Sequence, residues 1–283
     1  MRARAPASTA NLGPGFDVLA LALRLYVEVE VVPADHFSIS SEGEGSSIAC
    51  DEQHFAAKVA LAVCGHDRLA ISVRSEIPLK RGLGSSAALA VAAAAAAGAV
   101  EPLKVAASFE GHVENAAASL MGGLVAAAMV DSGPVVRSFP LDPSLSFVVL
   151  IPERELATKE ARSVLPSEVP RADAVFNLSR MGLLLAGLAD HSLLVNEAGD
   201  DRLHQAQRAR LFPEAPELLA RLVKAGALVS CWSGAGPSLL AVCDGSSAAA
   251  QVREAGEAAL ADVAVAGRAV VLAPDLQGLV VEG

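Results

Sequence analysis

Ile77-Pro78-Leu79-Lys80-Arg81-Gly82-Leu83-Gly84-Ser85-Ser86-Ala87-Ala88 runs almost directly into an alanine stretch at residues 92–97. Two glycines and two serines thus stand at the head of a helix built mostly of alanine, the best helix former. The first turn of a helix has amides without intrahelical partners and the positive end of the macrodipole, which together attract an anion. Gly82 and Gly84 lack a Cβ, so the backbone there can close on a bulky polyanion such as a triphosphate. Ser85 and Ser86 can cap the helix or offer hydroxyls to a phosphate or its metal. The segment reads as a phosphate cradle, although a plain Gly-Ser cap accounts for it about as well when it is taken alone. Gly82-x-Gly84-x-x-Ala87 also meets the loose dinucleotide fingerprint. That fingerprint needs its first glycine directly after a strand, and here Pro78, Lys80 and Arg81 intervene. No Gly-Lys-Ser/Thr of the Walker pattern follows.

Around this loop, 283 residues are enough for two compact lobes. Hydrophobic residues make up 53% but aromatics only 4%, so alanine, leucine and valine carry the core, as suits helices packed closely on sheets. A formal charge of −10 argues against a nucleic-acid partner. It also means that an anionic ligand must be attracted locally, by loop amides and a few arginines. No export signal or membrane span is expected, since the apolar run at 87–97 falls short of the roughly 20 residues a span needs. Cys50, Cys64, Cys231 and Cys243 show no Cys-x-x-Cys spacing and read as reduced core thiols of a cytoplasmic protein.

Alternation of Leu25, Val27, Val29 and Val31 with Glu28 and Glu30 predicts a half-buried strand over 25–32. Residues 37–40 are expected to pair back on it. Helical spacing covers 53–64, 102–109, 112–120, 172–189, 216–224 and 248–259, and strands are expected at 70–75, 124–130, 146–151, 228–232, 239–243 and 269–272. Gly133, Pro134, Pro140 and Pro143 cluster between 131 and 144, which puts a lobe boundary there: 1–140 and 141–283. Strands mixed with helices, some in hairpin succession, make the fold class α+β, with a ligand between the lobes.

Three further constellations carry chemistry. Residues 6–17, Pro-Ala-Ser-Thr-Ala-Asn-Leu-Gly-Pro-Gly-Phe-Asp, form either an ordinary turn-rich opening or a polar wall. In the second case Asn11 donates and accepts, and Asp17 receives an ammonium or a hydroxyl proton. Glu110-Gly111-His112-Val113-Glu114-Asn115 gathers polar groups at a helix break, where a carboxylate can hold Mg²⁺ beside phosphates or can simply face solvent. Thr158 and Arg162 lie four apart, on one face if helical. Arg208 follows Asp201-Arg202-Leu203-His204, and Ser233-Gly234-Ala235-Gly236-Pro237-Ser238 is either a tight hairpin or a platform closing over the phosphate loop.

Together and in this order these pieces resemble the GHMP kinases, and within them the homoserine kinase family. Pro6 to Asp17, Pro78 to Ala87 and Ser233 to Ser238 stand where that superfamily carries its three motifs, and Glu110 to Asn115, Thr158 with Arg162, and Asp201 to Arg208 match the narrower family. The resemblance implies a two-lobe fold, with a ribosomal-protein-like first lobe and a ferredoxin-like second lobe. The implied reaction is transfer of the γ-phosphoryl group of ATP to L-homoserine in threonine biosynthesis, in a cytoplasmic homodimer. ATP would lie on Pro78, Lys80, Arg81, Gly82, Leu83, Gly84, Ser85, Ser86 and Ala87, with Mg²⁺ on Ser86 and Glu110. Asn11, Asp17, His112, Asn115, Thr158, Arg162 and Arg208 would surround homoserine, the arginines taking its carboxylate. Asp17, Ser86, Glu110 and Arg162 would carry the catalytic work. The alternatives are another small-molecule GHMP kinase, of mevalonate or shikimate type, and a binding protein that keeps the fold. Glu114 stands where the family has Asp, Gln207 where it has Tyr, and His54-Phe55-Ala56 where it has Asn-Leu-Val for the adenine.

Overall fold

Side-chain alternation along the strands sorts the chain into two sheets, with helices filling the space their apolar faces leave. The structure, a computed structural model, describes residues 1–282. In chain order its elements are β1 (Arg2–Ala10), β2 (Leu19–Pro33), β3 (Ser38–Gly43), α1 (Phe55–Cys64), β4 (Leu69–Ser75), α2 (Ser85–Ala96), α3 (Pro102–Glu110), α4 (Glu114–Met121), β5 (Leu124–Val130), β6 (Gly133–Phe139), β7 (Leu145–Pro152), α5 (Thr158–Ser163), α6 (Arg171–Ala189), α7 (Gln205–Arg208), α8 (Ala215–Lys224), β8 (Val229–Trp232), β9 (Leu239–Asp244), α9 (Gly245–Asp262), β10 (Gly267–Leu272) and β11 (Val280–Glu282).

The first sheet has seven strands in the order β11-β1-β2-β4-β3, with β5 pairing β2 and β6 pairing β5. The long strand β2 takes β1 along one edge. On the other edge it takes β5 at Leu19–Leu21 and β4 from Val27 to Pro33. The second sheet is antiparallel, in the order β10-β7-β9-β8. Its alternation is regular. Phe147, Val149, Leu240 and Val242 face the first lobe, while Val148, Leu150, Leu239 and Ala241 face α8 and α9.

Helix α2 lies on β1 and β2 and is hemmed in by α1, α3 and α4. Nine of its twelve residues are buried, eight of them alanine. A helix enclosed on all sides has no polar face to show, and methyl side chains let four helices and a sheet approach one another closely.

Several expectations are corrected. The opening segment is a strand, β1, although Pro6 and the alanines hid its period. β2 begins at Leu19, and both faces of Leu19–Leu23 are covered, which erases the alternation. β3 pairs with β4 in parallel and not back on β2, because α1 carries the chain across. The Gly133-Pro134 region expected as a boundary linker is β6, an edge strand, where proline is tolerated. The two lobes also share one apolar core, in which Leu12, Leu21 and Val29 join Phe147, Leu184 and Val242. The last strand, β11, returns to the first sheet beside β1. Cys231 and Cys243 are buried, but Cys50 is exposed and Cys64 only half-buried. Helix α6, at 19 residues, is by length and composition apolar enough to cross a membrane, a feature the sequence reading passed over.

Candidate active site

The phosphate-loop residues leave β4 through a buried Ile77 and enter α2 through three left-handed residues, Lys80 (φ 51°), Gly82 (φ 74°) and Gly84 (φ 65°). A methyl group on Gly82 would sit 2.1 Å from the carbonyl oxygen of Ser233, and one on Gly84 2.1 Å from the hydroxyl of Ser8. The glycines are therefore demanded first by the protein's own close packing, in addition to any approach of a ligand. Ser233 Oγ donates to Gly82 O at 2.7 Å, and the Ser238 amide to Arg81 O at 3.3 Å. The Ser233–Ser238 segment is thus both readings at once, the hairpin turn between β8 and β9 and a piece stitched to the loop from the other lobe. Gly84 is the N-cap of α2 and has no side-chain capping bond, so Ser85 and Ser86 are the first helical residues and not caps. Their amides lie at the positive end of the helix.

Arg81 spends its guanidinium on the carbonyls of Leu79, Pro152 and Glu153, and Lys80 pairs with Glu155 at 3.0 Å. Both side chains tie the loop to the end of β7. Across the loop, Ser86 Oγ donates to Glu110 Oε1 at the end of α3. Gly111, at φ 76°, ends that helix and turns the chain into α4, whose first residues are Glu114 and Asn115. Asn115 Nδ2 donates to Glu114 Oε1 at 3.0 Å and its Oδ1 accepts from Ser8 Oγ at 2.9 Å. Burial pushes the Glu114 carboxyl up, against the pull of His112, whose Nδ1 lies 3.8 Å from Oε1. Oε2 of Glu114 and Nδ1 of His112 are buried without a hydrogen-bond partner.

The opposite wall is built on the turn after β1. Asn11, at φ 70°, donates through Nδ2 to Gly234 O at 2.8 Å and accepts from the Asp17 amide at 3.0 Å. Asp17 meets Arg162 of α5 in a two-pronged pair, Oδ2 to Nη1 at 2.9 Å and Oδ1 to Nη2 at 2.6 Å. The bond to Asp17 holds the Arg162 guanidinium above its ordinary pKa. Arg208 is buried and donates through Nη1 to Gly234 O at 2.9 Å and to His204 Nδ1 at 3.0 Å. His204 Nε2 lies 2.8 Å from Gly13 O, which fixes the proton on that nitrogen. Burial, helped by Arg162, lowers Arg208 to about 10. The guanidinium carbons of Arg162 and Arg208 stand 5.7 and 5.4 Å from the ring centre of Phe16.

One cleft between the lobes is lined by every predicted site residue: Asn11, Asp17, Pro78, Lys80 through Ala87, Glu110, His112, Asn115, Thr158, Arg162 and Arg208. Glu114, Gly234 and Ala235 line it too. In the sequence Glu114 stands out only as one of the polar groups at 110–115 and as a departure from the family pattern, with no role of its own. The signal that could have found it is an acidic residue opening a helix three residues after a glycine break. His54, at the position matched to adenine recognition, is buried and caps α1, its Nδ1 accepting from the Ala56 amide at 3.3 Å. Burial lowers its pKa. Phe55 packs edge-on against Phe109, 5.9 Å between centroids.

A loop-and-helix anion cradle facing a charged wall across two lobes is the arrangement of a small-molecule kinase. Residues 53–123 match the GHMP kinases N terminal domain and residues 183–262 the GHMP kinases C terminal region. The chain is 40% identical to the homoserine kinase of Moorella thermoacetica, over 86% of this chain and 87% of that one. It is 38% identical to the homoserine kinase of Desulfitobacterium hafniense, over 99% of each. The crystal structure of homoserine kinase from Cytophaga hutchinsonii superposes with a TM-score of 0.86 at 27% identity, covering 100% of this chain and 97% of that one. The chain belongs to the GHMP kinases, in the homoserine kinase family.

Proposed function

We propose that this chain transfers the γ-phosphoryl group of ATP to the side-chain hydroxyl of L-homoserine, giving O-phospho-L-homoserine. One observation carries the reading: the first-turn amides of α2, the Ser86–Glu110 pair and the charged wall of Asp17, Glu114, Arg162 and Arg208 open on the same cleft. Phosphoryl transfer asks a protein mainly for positioning and for stabilisation of charge on the transferring oxygens. The loop from Leu83 to Ser86 supplies amides and the dipole of α2 on one side. Amino-acid recognition groups stand on the other.

Ser86 Oγ and a Glu110 carboxylate oxygen already touch, and an all-oxygen set of this kind fits Mg²⁺. Bound there beside the nucleotide, the ion would neutralise charge on the phosphates. Asp17 orients the substrate amine. Glu114 Oε2, buried and unpartnered, is an acceptor for a substrate O–H or N–H. Arg162, Thr158 and the Nη2 of Arg208 are the groups for the carboxylate. On this reading the enzyme works in threonine biosynthesis, in the cytoplasm, as a homodimer. The charge of −10 supports small-molecule partners over nucleic acid.

The test is ATP consumption with Mg²⁺ on L-homoserine, L-serine, mevalonate and shikimate. Turnover is expected on L-homoserine alone. Glu110→Ala should lower kcat about a hundredfold or more while leaving the homoserine KM within about threefold. Turnover on a different alcohol overturns the acceptor assignment, and no turnover on any overturns the kinase reading.

A further inference from the structure

Asp17 and Arg162 come from different lobes, one from the turn between β1 and β2, the other from the last turn of α5. Their contact occupies both prongs of the guanidinium and both carboxylate oxygens, at 2.9 and 2.6 Å. Each side chain is 36% exposed, so the pair is half-buried and open to the cleft. A planar fork fits one carboxylate at a time. Near it lie one further cation, Arg208, and one further carboxyl, Glu114.

We propose that L-homoserine binds by ion-pair exchange: its carboxylate takes the Arg162 fork from Asp17, and its ammonium takes the Asp17 carboxylate so released. The inference rests on the phosphotransferase reading above. Exchange explains a preference that the separate contacts do not. A ligand with a carboxylate and no amine would gain Arg162 but strand Asp17. A ligand with an amine and no carboxylate would gain Asp17 but strand Arg162. A half-buried charge without its partner is costly, so either ligand loses on one side what it gains on the other. An α-amino acid carries both charges on one carbon and leaves the charge balance of the wall unchanged. The pair thus selects for zwitterions through the penalty it imposes on half-matched ligands. Phe16, lying under the guanidiniums of Arg162 and Arg208, gives Arg162 an apolar face to slide on while its partner changes.

The experiment measures binding of L-homoserine, 4-hydroxybutanoate and 3-aminopropan-1-ol by calorimetry. It uses the full chain with Mg²⁺ and a non-hydrolysable ATP analogue. In the native chain each single-charge analogue should bind about a hundredfold more weakly than L-homoserine. Asp17→Asn should act with opposite signs: L-homoserine weakens about tenfold or more, while 4-hydroxybutanoate tightens about threefold or more, because no carboxylate competes for the fork. If 4-hydroxybutanoate binds Asp17→Asn no better than the native chain, exchange is overturned. A crystal structure of the native chain with L-homoserine bound gives the same answer without a variant. An Asp17–Arg162 separation beyond about 4 Å supports exchange, and an intact two-pronged pair sinks it. Turnover of L-homoserine by the native preparation separates the two readings. Its absence fells the proposed function and the exchange with it; its presence without the sign reversal fells the exchange alone.

Discussion

His204 has no exposed side-chain atom, and its two nitrogens are fully engaged, one donating to Gly13 O and the other accepting from Arg208. Burial, against the pull of Asp201, lowers its pKa to about 4. An unfolded histidine titrates near 6.5. Between those values the unfolded chain binds more protons than the folded one, so stability rises with pH through this window. The contribution is complete above about pH 6.5 and is lost as pH falls to 4, a swing of about 3 kcal/mol. Glu114, pushed upward by burial, works in the opposite sense, so the comparison must isolate His204. His204→Gln keeps a donor for Gly13 O, and urea denaturation between pH 4 and 7 should show a flatter slope for it than for the native chain. An unchanged slope would exclude His204 as the titrating group. At this scale the sequence was informative where a motif fixed identity and spacing, as for Asn11, Asp17, Glu110 and Arg162. It was silent on what each side chain spends itself on. Arg81 and Arg208 both lie in the cleft, yet each spends donors on carbonyls of the protein, and no local spacing encodes a partner 71 or 26 residues away.

Among the elements, the phosphate loop is held from both sides by atoms that cannot move equally well. The Gly82 methyl site faces a backbone oxygen, Ser233 O, whereas the Gly84 site faces the rotatable hydroxyl of Ser8. Both glycines are left-handed, so alanine is strained at either position. Gly82→Ala should cost about 3 kcal/mol or more and raise the ATP KM. Gly84→Ala should cost about 2 kcal/mol, since Ser8 can rotate at the loss of its bond to Asn115. Thermal denaturation paired with ATP titration ranks them, and equal effects would mean that the Ser233 turn yields as easily as a side chain. Helix α2 was legible because glycine, serine and alanine each state a conformational preference. β1 was not: Arg2, Arg4 and Pro6 alternate with Ala3, Ala5 and Ala7, a true period of two written in residues that strands use little. β6 failed for a similar reason, its glycine and proline marking an edge and not a break.

For the molecule as a whole, the final segment binds the lobes by returning to the first sheet. Asp275 is buried; it accepts from Tyr26 Oη at 2.9 Å and from the amides of Gln277 and Gly278 at 3.0 and 2.7 Å. Asp275→Ala leaves three donors to find water or go without, and should cost about 2–3 kcal/mol. Removing the Tyr26 hydroxyl alone, by Tyr26→Phe, should cost about 1 kcal/mol. Chemical denaturation compares them, and equal losses would deny the two amides any share. A chain ended after residue 272 should also scatter light on warming, because β1 then presents an open edge. The two-lobe α+β plan could be read from strands and helices in succession. The pairing of β11 with β1 could not, since three residues near one terminus carry no local sign of a partner at the other.

That pairing orders events during synthesis. Arg2 leaves the ribosome long before its partner Glu282, so β1 waits through the synthesis of everything between them without one neighbour. A nascent chain can assemble α2, its surrounding helices and the phosphate loop beforehand. It cannot complete its first sheet until β11 has emerged. Products cut short before β11 therefore keep an adhesive margin that copies reaching β11 have covered, and the cell's proteases and chaperones have a mark by which to tell the two apart.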